Sequence, residues 1–123
     1  MVNPYRLFII DDNKEILAAL TDFLSKKKYD VVSASDGLDA LKLLETQQQG
    51  FDLVITDLVM PNISGVGLIS IIKKKFPELP VIAITGWGEH PEALATEAQA
   101  DRVLEKPFDL SELDTAIKEL LSL

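Results

Sequence analysis

Three short runs in this 123-residue chain are apolar at nearly every position instead of at alternate ones: Leu7–Ile10, Phe51–Ile55 with only Asp52 interrupting, and Val81–Ile84. A strand with one wet face alternates apolar and polar residues. A strand apolar throughout must be covered on both faces, which is the condition of a parallel sheet held between two layers of helices. Two further runs, Asp30–Ala34 and the weaker Val103–Leu104, bring the number of predicted strands to five.

Helical spacing fills the intervals. From Asn13 onward, Ile16, Leu20, Phe23 and Leu24 share a face. Ser35 or Asp36 is placed to cap a second helix carrying Leu38, Leu41 and Leu44, which the Gln47–Gly50 tract ends in a loop. A turn-rich stretch, Met60 to Gly65, leads to a third helix through Leu68, Ile71 and Ile72 that stops near Phe76-Pro77. A fourth, Ala-rich helix is expected from about Pro91 to Ala98, after Gly86-Trp87-Gly88. Asp109 with Glu112 resembles a capping box for the last helix, whose Leu113, Ile117, Leu120 and Leu121 form the inward stripe.

Strict alternation of strand and helix predicts a single α/β domain, residues 1–123, built as a three-layer sandwich. Right-handed crossovers leave few topologies. In the flavodoxin-like order 2-1-3-4-5, a crevice opens at the carboxyl ends of the first and third strands. That order brings Asp11 and Asp12 beside Asp57, with Thr85 and Lys106 arriving from the fourth and fifth strands.

Three carboxylates in one crevice repel unless a positive charge intervenes, and a hard divalent cation such as Mg²⁺ suits an all-oxygen set. An aspartate so placed can act as a nucleophile on phosphorus, with Lys106 supplying an ammonium and Thr85 a hydroxyl donor. Taken singly, each residue has an ordinary use: Asp12 as a helix cap, Asp57 as a turn former, Thr85 as a strand end, Lys106 as a surface charge. Their conjunction at four strand ends is what points to a site.

The net charge of −8 argues against nucleic-acid binding by this domain. The basic triplets Lys26–Lys28 and Lys73–Lys75 fall at predicted helix ends, where cations complement the dipole. No apolar run approaches the roughly 20 residues of a membrane span, and no signal peptide is visible. The absence of cysteine is consistent with a cytoplasmic protein.

With these residues in view, the chain resembles the CheY-like receiver domain of two-component response regulators over essentially its whole length. Asp11-Asp12, Asp57 within D-L-V-M-P, Gly65, Thr85-Gly86 and Lys106-Pro107-Phe108 match that pattern in order and spacing. The resemblance implies that Asp57 accepts a phosphoryl group from a histidine of a sensor kinase or a histidine phosphotransfer protein. It implies Mg²⁺ bound directly by Asp12 and more indirectly by Asp11, with the Val59 carbonyl completing the protein ligands. It also implies that Lys106 contacts the phosphoryl group, that Thr85 reorients toward it, and that the Lys106-Pro107 bond is cis. Output is then expected from a surface of the last two helices and fifth strand, in a domain that stands alone or belongs to a longer regulator.

One departure stands out. Where the family usually carries an aromatic residue, three positions before the lysine, this chain has Val103, whose β-branched side chain has no ring to swing between inside and outside. Trp87, two residues after Thr85, is large for its place and either shields the acyl phosphate or is an ordinary loop aromatic. His90, just before Pro91, reads as a turn or cap residue and not as a phosphodonor.

Competing readings are a docking module that is never phosphorylated, an aspartyl-phosphate phosphatase and a flavin domain. Leu58 and Val59 offer no second acid to a phosphatase, and Asp11-Asp12 would repel a flavin phosphate.

Overall fold

The computed structural model describes residues 4–47, 50–58, 60, 65–86 and 99–123. Among these the elements run β1 (Arg6–Ile10), α1 (Lys14–Lys26), β2 (Asp30–Ala34), α2 (Gly37–Thr46), β3 (Leu53–Asp57), α3 (Gly65–Lys75), β4 (Val81–Thr85), β5 (Arg102–Glu105) and α4 (Leu110–Leu121). All strand pairs are parallel, as the alternation predicts, and the sheet order is β2-β1-β3-β4-β5, the flavodoxin-like order expected. The helix expected near Pro91–Ala98 lies outside the described residues, as do Val59, Trp87 and His90.

The unbroken apolar runs are explained by two cores, one on each face of the sheet. Phe8, Ile10, Val54 and Ala83 point toward α2 and α3. Leu7, Ile9, Leu53, Ile55, Ile82 and Ile84 point toward α1 and α4. Successive strand residues face opposite ways, so each run fills both cores at once.

The helical stripes shift in two places. On α2 the inward row is Gly37, Ala40, Leu41 and Leu44, at i, i+3, i+4 and i+7, while Leu38, expected inward, is 59% exposed. On α3 the same row is Gly65, Leu68, Ile69 and Ile72, with Ile71 only half-buried. In both helices a buried glycine opens the stripe, and at Gly65 the helix lies directly against the end of β3. Reading apolarity alone starts the count at the first leucine and so rotates α2 outward.

Two strand-end details correct the expected limits. β3 begins at Leu53, with Phe51 outside it and stacked on Phe8 at a ring separation of 4.6 Å. It also runs through Asp57, so the acid is the last residue of the strand. At this amino edge Arg6 ties three segments together. Its guanidinium donates to Asp30 Oδ2 (3.1 Å), the Gly50 carbonyl (2.7 Å) and Gln47 Oε1 (3.0 Å), and lies 4.9 Å from the Phe51 ring centre.

The lysine triplets do more than complement dipoles. Lys73 donates to the Leu79 carbonyl and to Asp101 Oδ2 at 2.6 Å, and the same oxygen accepts the Val81 amide at 2.8 Å. α3 is thereby fastened to the starts of β4 and β5. Lys26 pairs with Asp22 one turn earlier, an exposed contact worth little.

Candidate functional site at the carboxyl ends of the strands

The parallel register sets the site. Ile10 lies opposite Thr56, Asp57 opposite Ile84, and Thr85 opposite Glu105, so the residues that follow β1, end β3 and β4, and follow β5 meet on one rim. Carboxylate oxygens of Asp11, Asp12 and Asp57 all lie within 4.8 Å of one another. Lys106 Nζ stands 3.5 Å from Asp11 Oδ2 and 3.7 Å from Asp57 Oδ2. Asp11, Asp57 and Thr85 are buried, whereas Asp12 is exposed.

Each position has a local cause. The Asp11 amide donates to the Ala34 carbonyl, which holds the end of β1 against β2. Asp11 Oδ1 accepts the Asn13 amide at 2.9 Å. The Leu58 amide donates to the Ile84 carbonyl, continuing the ladder past Asp57. The Lys106 amide donates to the Thr85 carbonyl at 2.8 Å, so two of the site's residues share a backbone bond. The Lys106-Pro107 peptide is cis, in agreement with the expectation.

Two buried oxygens in this site have no hydrogen-bond partner among the described residues: Asp11 Oδ2 and Thr85 Oγ1. Asp11 Oδ2 has only the Lys106 ammonium at 3.5 Å to offset its charge, and a buried oxygen without a hydrogen bond is costly unless something binds there. Three carboxylates this close, faced by a single ammonium, form an all-oxygen donor set that fits a hard divalent cation. The Thr85 hydroxyl, at the end of β4 on the same rim, has no hydrogen-bond partner among the described residues.

Gly65 packs against the backbone that presents Asp57. Its amide donates to the Leu58 carbonyl at 2.8 Å, and a Cβ there would run into the Asp57 carbonyl oxygen and lie 2.5 Å from Leu58 Cα. The sequence marks Gly65 as part of a pattern; the structure supplies the steric reason.

The ordinary alternative for Asp12 is removed. The cap of α1 is Asn13, whose Oδ1 accepts the Glu15 amide at 2.9 Å and the Ile16 amide at 3.2 Å. Asn13 is the residue that sequence reasoning passed over. An Asn immediately before Lys14-Glu15 is itself a cap signal, one that the neighbouring Asp12 obscures. A cleft of about 710 Å³ opens at the opposite, amino edge of the sheet, between Leu44, Phe51, Phe76 and Leu79, far from these carboxylates.

A doubly wound parallel sheet of order 2-1-3-4-5 with an acidic crevice between its first and third strands defines a CheY-like protein of the flavodoxin-fold class. Residues 7–118 match the model of the response regulator receiver domain, and the chain belongs to that family. It is 31% identical to a response regulator receiver domain protein from Clostridium thermocellum, with a TM-score of 0.89 over 96% of this chain and 94% of that one. The response regulator TrrA of Thermotoga maritima, solved in complex with Mg(2+)-BeF, is 30% identical with a TM-score of 0.85 over 95% of this chain and 99% of that one. Among curated proteins, the alkaline phosphatase synthesis transcriptional regulatory protein PhoP of Bacillus subtilis is 30% identical over 117 residues, 94% of this chain and 48% of PhoP. The chain thus spans about half the length, or less, of the curated relatives it matches. Among the described residues no helix is long and apolar enough to cross a membrane.

Proposed function

We propose that residues 1–123 act as one phosphoacceptor domain, in which Asp57 receives a phosphoryl group from a phosphohistidine of a sensor histidine kinase or histidine phosphotransfer protein. The observation that carries this is Lys106 Nζ standing within 3.7 Å of a buried Asp57 carboxylate, in a crevice where Asp11 Oδ2 and Thr85 Oγ1 make no hydrogen bond among the described residues.

A carboxylate oxygen of Asp57 attacks phosphorus as the N–P bond breaks, and the donor histidine leaves with the bonding pair and takes up a proton. The product is an acyl phosphate on Asp57. Lys106 faces both Asp57 and Asp11, and its ammonium offsets charge gathering on the phosphoryl oxygens. The Thr85 hydroxyl donates to one of those oxygens, ending its lack of a partner. Asp11, Asp12, Asp57 and the Val59 carbonyl, the last outside the described residues, would hold Mg²⁺. When bound, that ion supplies positive charge against the three carboxylates and the incoming phosphoryl group. The fit to Mg²⁺ is supported by TrrA, which was solved with Mg(2+)-BeF.

Phosphorylation then alters a protein-binding surface around β5 and α4. Val103, on β5 and 37% exposed, has no ring to rotate, so the change is carried by backbone shifts that follow Thr85. Incubation with a small phosphodonor and Mg²⁺ should label the protein once, with the label lost in Asp57→Asn. A label of equal size in Asp57→Asn would overturn the assignment.

A further inference from the structure

Asn13 joins two things that the proposed chemistry keeps apart. Its backbone amide donates to Asp11 Oδ1 at 2.9 Å, while its side-chain oxygen caps α1 by accepting the Glu15 and Ile16 amides. Its carbonyl accepts the Leu17 amide at 3.0 Å, the first backbone bond of that helix. Asp11 is 1% exposed, and with Oδ1 engaged Oδ2 is the oxygen left to face the cluster, where it makes no hydrogen bond and has the Lys106 ammonium at 3.5 Å.

We infer that Asn13 is a positioning residue that fixes the Asp11 carboxylate for a divalent cation and thereby links cation binding to the order of the first turn of α1. This rests on the cation site proposed above. A carboxylate held by one oxygen is oriented before the ligand arrives, which removes an ordering cost from binding. Amides that hold a ligating carboxylate in this way typically matter by about tenfold in metal affinity. The link must also run in reverse: if a fixed Asp11 favours the cation, a bound cation favours the Asn13 geometry that caps α1. A partner that grips or frays this first turn would therefore change the protein's affinity for Mg²⁺.

Three substitutions separate the two roles. Asn13→Ser keeps both the amide and a capping oxygen, Asn13→Ala keeps the amide alone, and Asn13→Pro keeps neither. Proline is tolerable here because Asn13 already has φ −86 and its amide makes no helical bond. Titration of the full chain with MgCl₂ by calorimetry should give Asn13→Ser an affinity within twofold of the parent. Asn13→Pro should bind about tenfold more weakly than Asn13→Ala. Equal affinities of the Pro and Ala variants overturn the inference, while a parent that binds no Mg²⁺ overturns the cation site beneath it. A measurement on the unsubstituted protein stands apart from folding of the variants. Mg²⁺ should slow hydrogen exchange of the Glu15 and Ile16 amides several-fold more than that of the Asp39 amide, which is capped by Asp36 on α2. Equal slowing at both caps would refute the link.

Discussion

Replacing Gly65 by alanine tests the packing on which the site depends. A Cβ at this position would collide with the Asp57 carbonyl oxygen, lie 2.5 Å from Leu58 Cα and lie 2.8 Å from the Asp57 carbonyl carbon. All three are backbone atoms of the strand end that presents Asp57, so no flexible side chain can yield. Restoring ordinary contact requires α3 and the end of β3 to separate by on the order of 1 Å, at an overpacking cost of about 1–3 kcal/mol. The 2.8 Å bond from the Gly65 amide to the Leu58 carbonyl is stretched beyond use in the process, adding about 1 kcal/mol. Alanine returns a few tenths of a kcal/mol, since Gly65 is the first residue of α3 and gains only part of the helix preference. The net loss is about 2–3 kcal/mol, equivalent to a fall in Tm of about 10 °C for a chain of this length.

Gly50 is the control. It sits at φ +70 with nothing within 4 Å of the place an alanine methyl would occupy, so Gly50→Ala meets only left-handed strain of about 1–2 kcal/mol. Urea unfolding of both variants beside the parent gives the ranking. If Gly65→Ala is no less stable than Gly50→Ala, the close approach of α3 to the Asp57 strand end does not constrain this fold as argued.

Other consequences follow from single contacts. Burial, then the hydrogen bond to Asp114, then that carboxylate's charge push the Tyr29 hydroxyl up to about 12. Because the folded protein holds this proton more tightly, the stabilisation is complete below about pH 10 and is lost as pH rises toward about 12. Screened for a ring that is only partly buried, the loss is about 1 kcal/mol, and Tyr29→Phe should flatten that limb in urea melts taken across the range. Arg6→Lys should cost about 2 kcal/mol in the same assay, because an ammonium cannot reproduce a fork that reaches Asp30, Gly50 and Gln47 together. A Lys variant as stable as the parent would show that the fork contributes nothing. Lys106→Met removes the ammonium that faces Asp11 and Asp57, so Mg²⁺ affinity measured by calorimetry should rise several-fold. An unchanged or weaker affinity would mean that the lysine does not compete with the cation.

Most of the sheet was legible because burial on both faces leaves no alternation to misread. Leu7–Ile10 and Val81–Ile84 lie within β1 and β4 as expected, and even the short Val103–Leu104 marks β5. The four strand ends were legible for a related reason: an apolar run that stops at a charged or hydroxyl residue announces where the chain leaves the core. Helix faces were less so. Leu38 looks inward by composition, yet the row that meets the sheet begins at Gly37, and a residue without a side chain carries no hydrophobic signal.

The amino edge of the sheet was legible least, and the contrast with the carboxyl edge has a physical source. At the carboxyl edge, function places several unlike polar residues directly after apolar strands, and the pattern repeats four times. At the amino edge, Arg6 acts through partners 24, 41 and 44 residues away, one of them a backbone carbonyl that any sequence would provide. Lys73 and Asp101 likewise meet across 28 residues, and one of the lysine's two bonds goes to a carbonyl. A bond to backbone leaves no complementary residue to find, so such clamps appear only once the register is known. Asn13 belongs to the same class: its donor to Asp11 is a backbone amide, and nothing in its side chain advertises it. The backbone bonds that hold Asp11 in the site and clamp the amino edge are therefore the parts the sequence hides, and substitutions chosen from residue type alone would miss them.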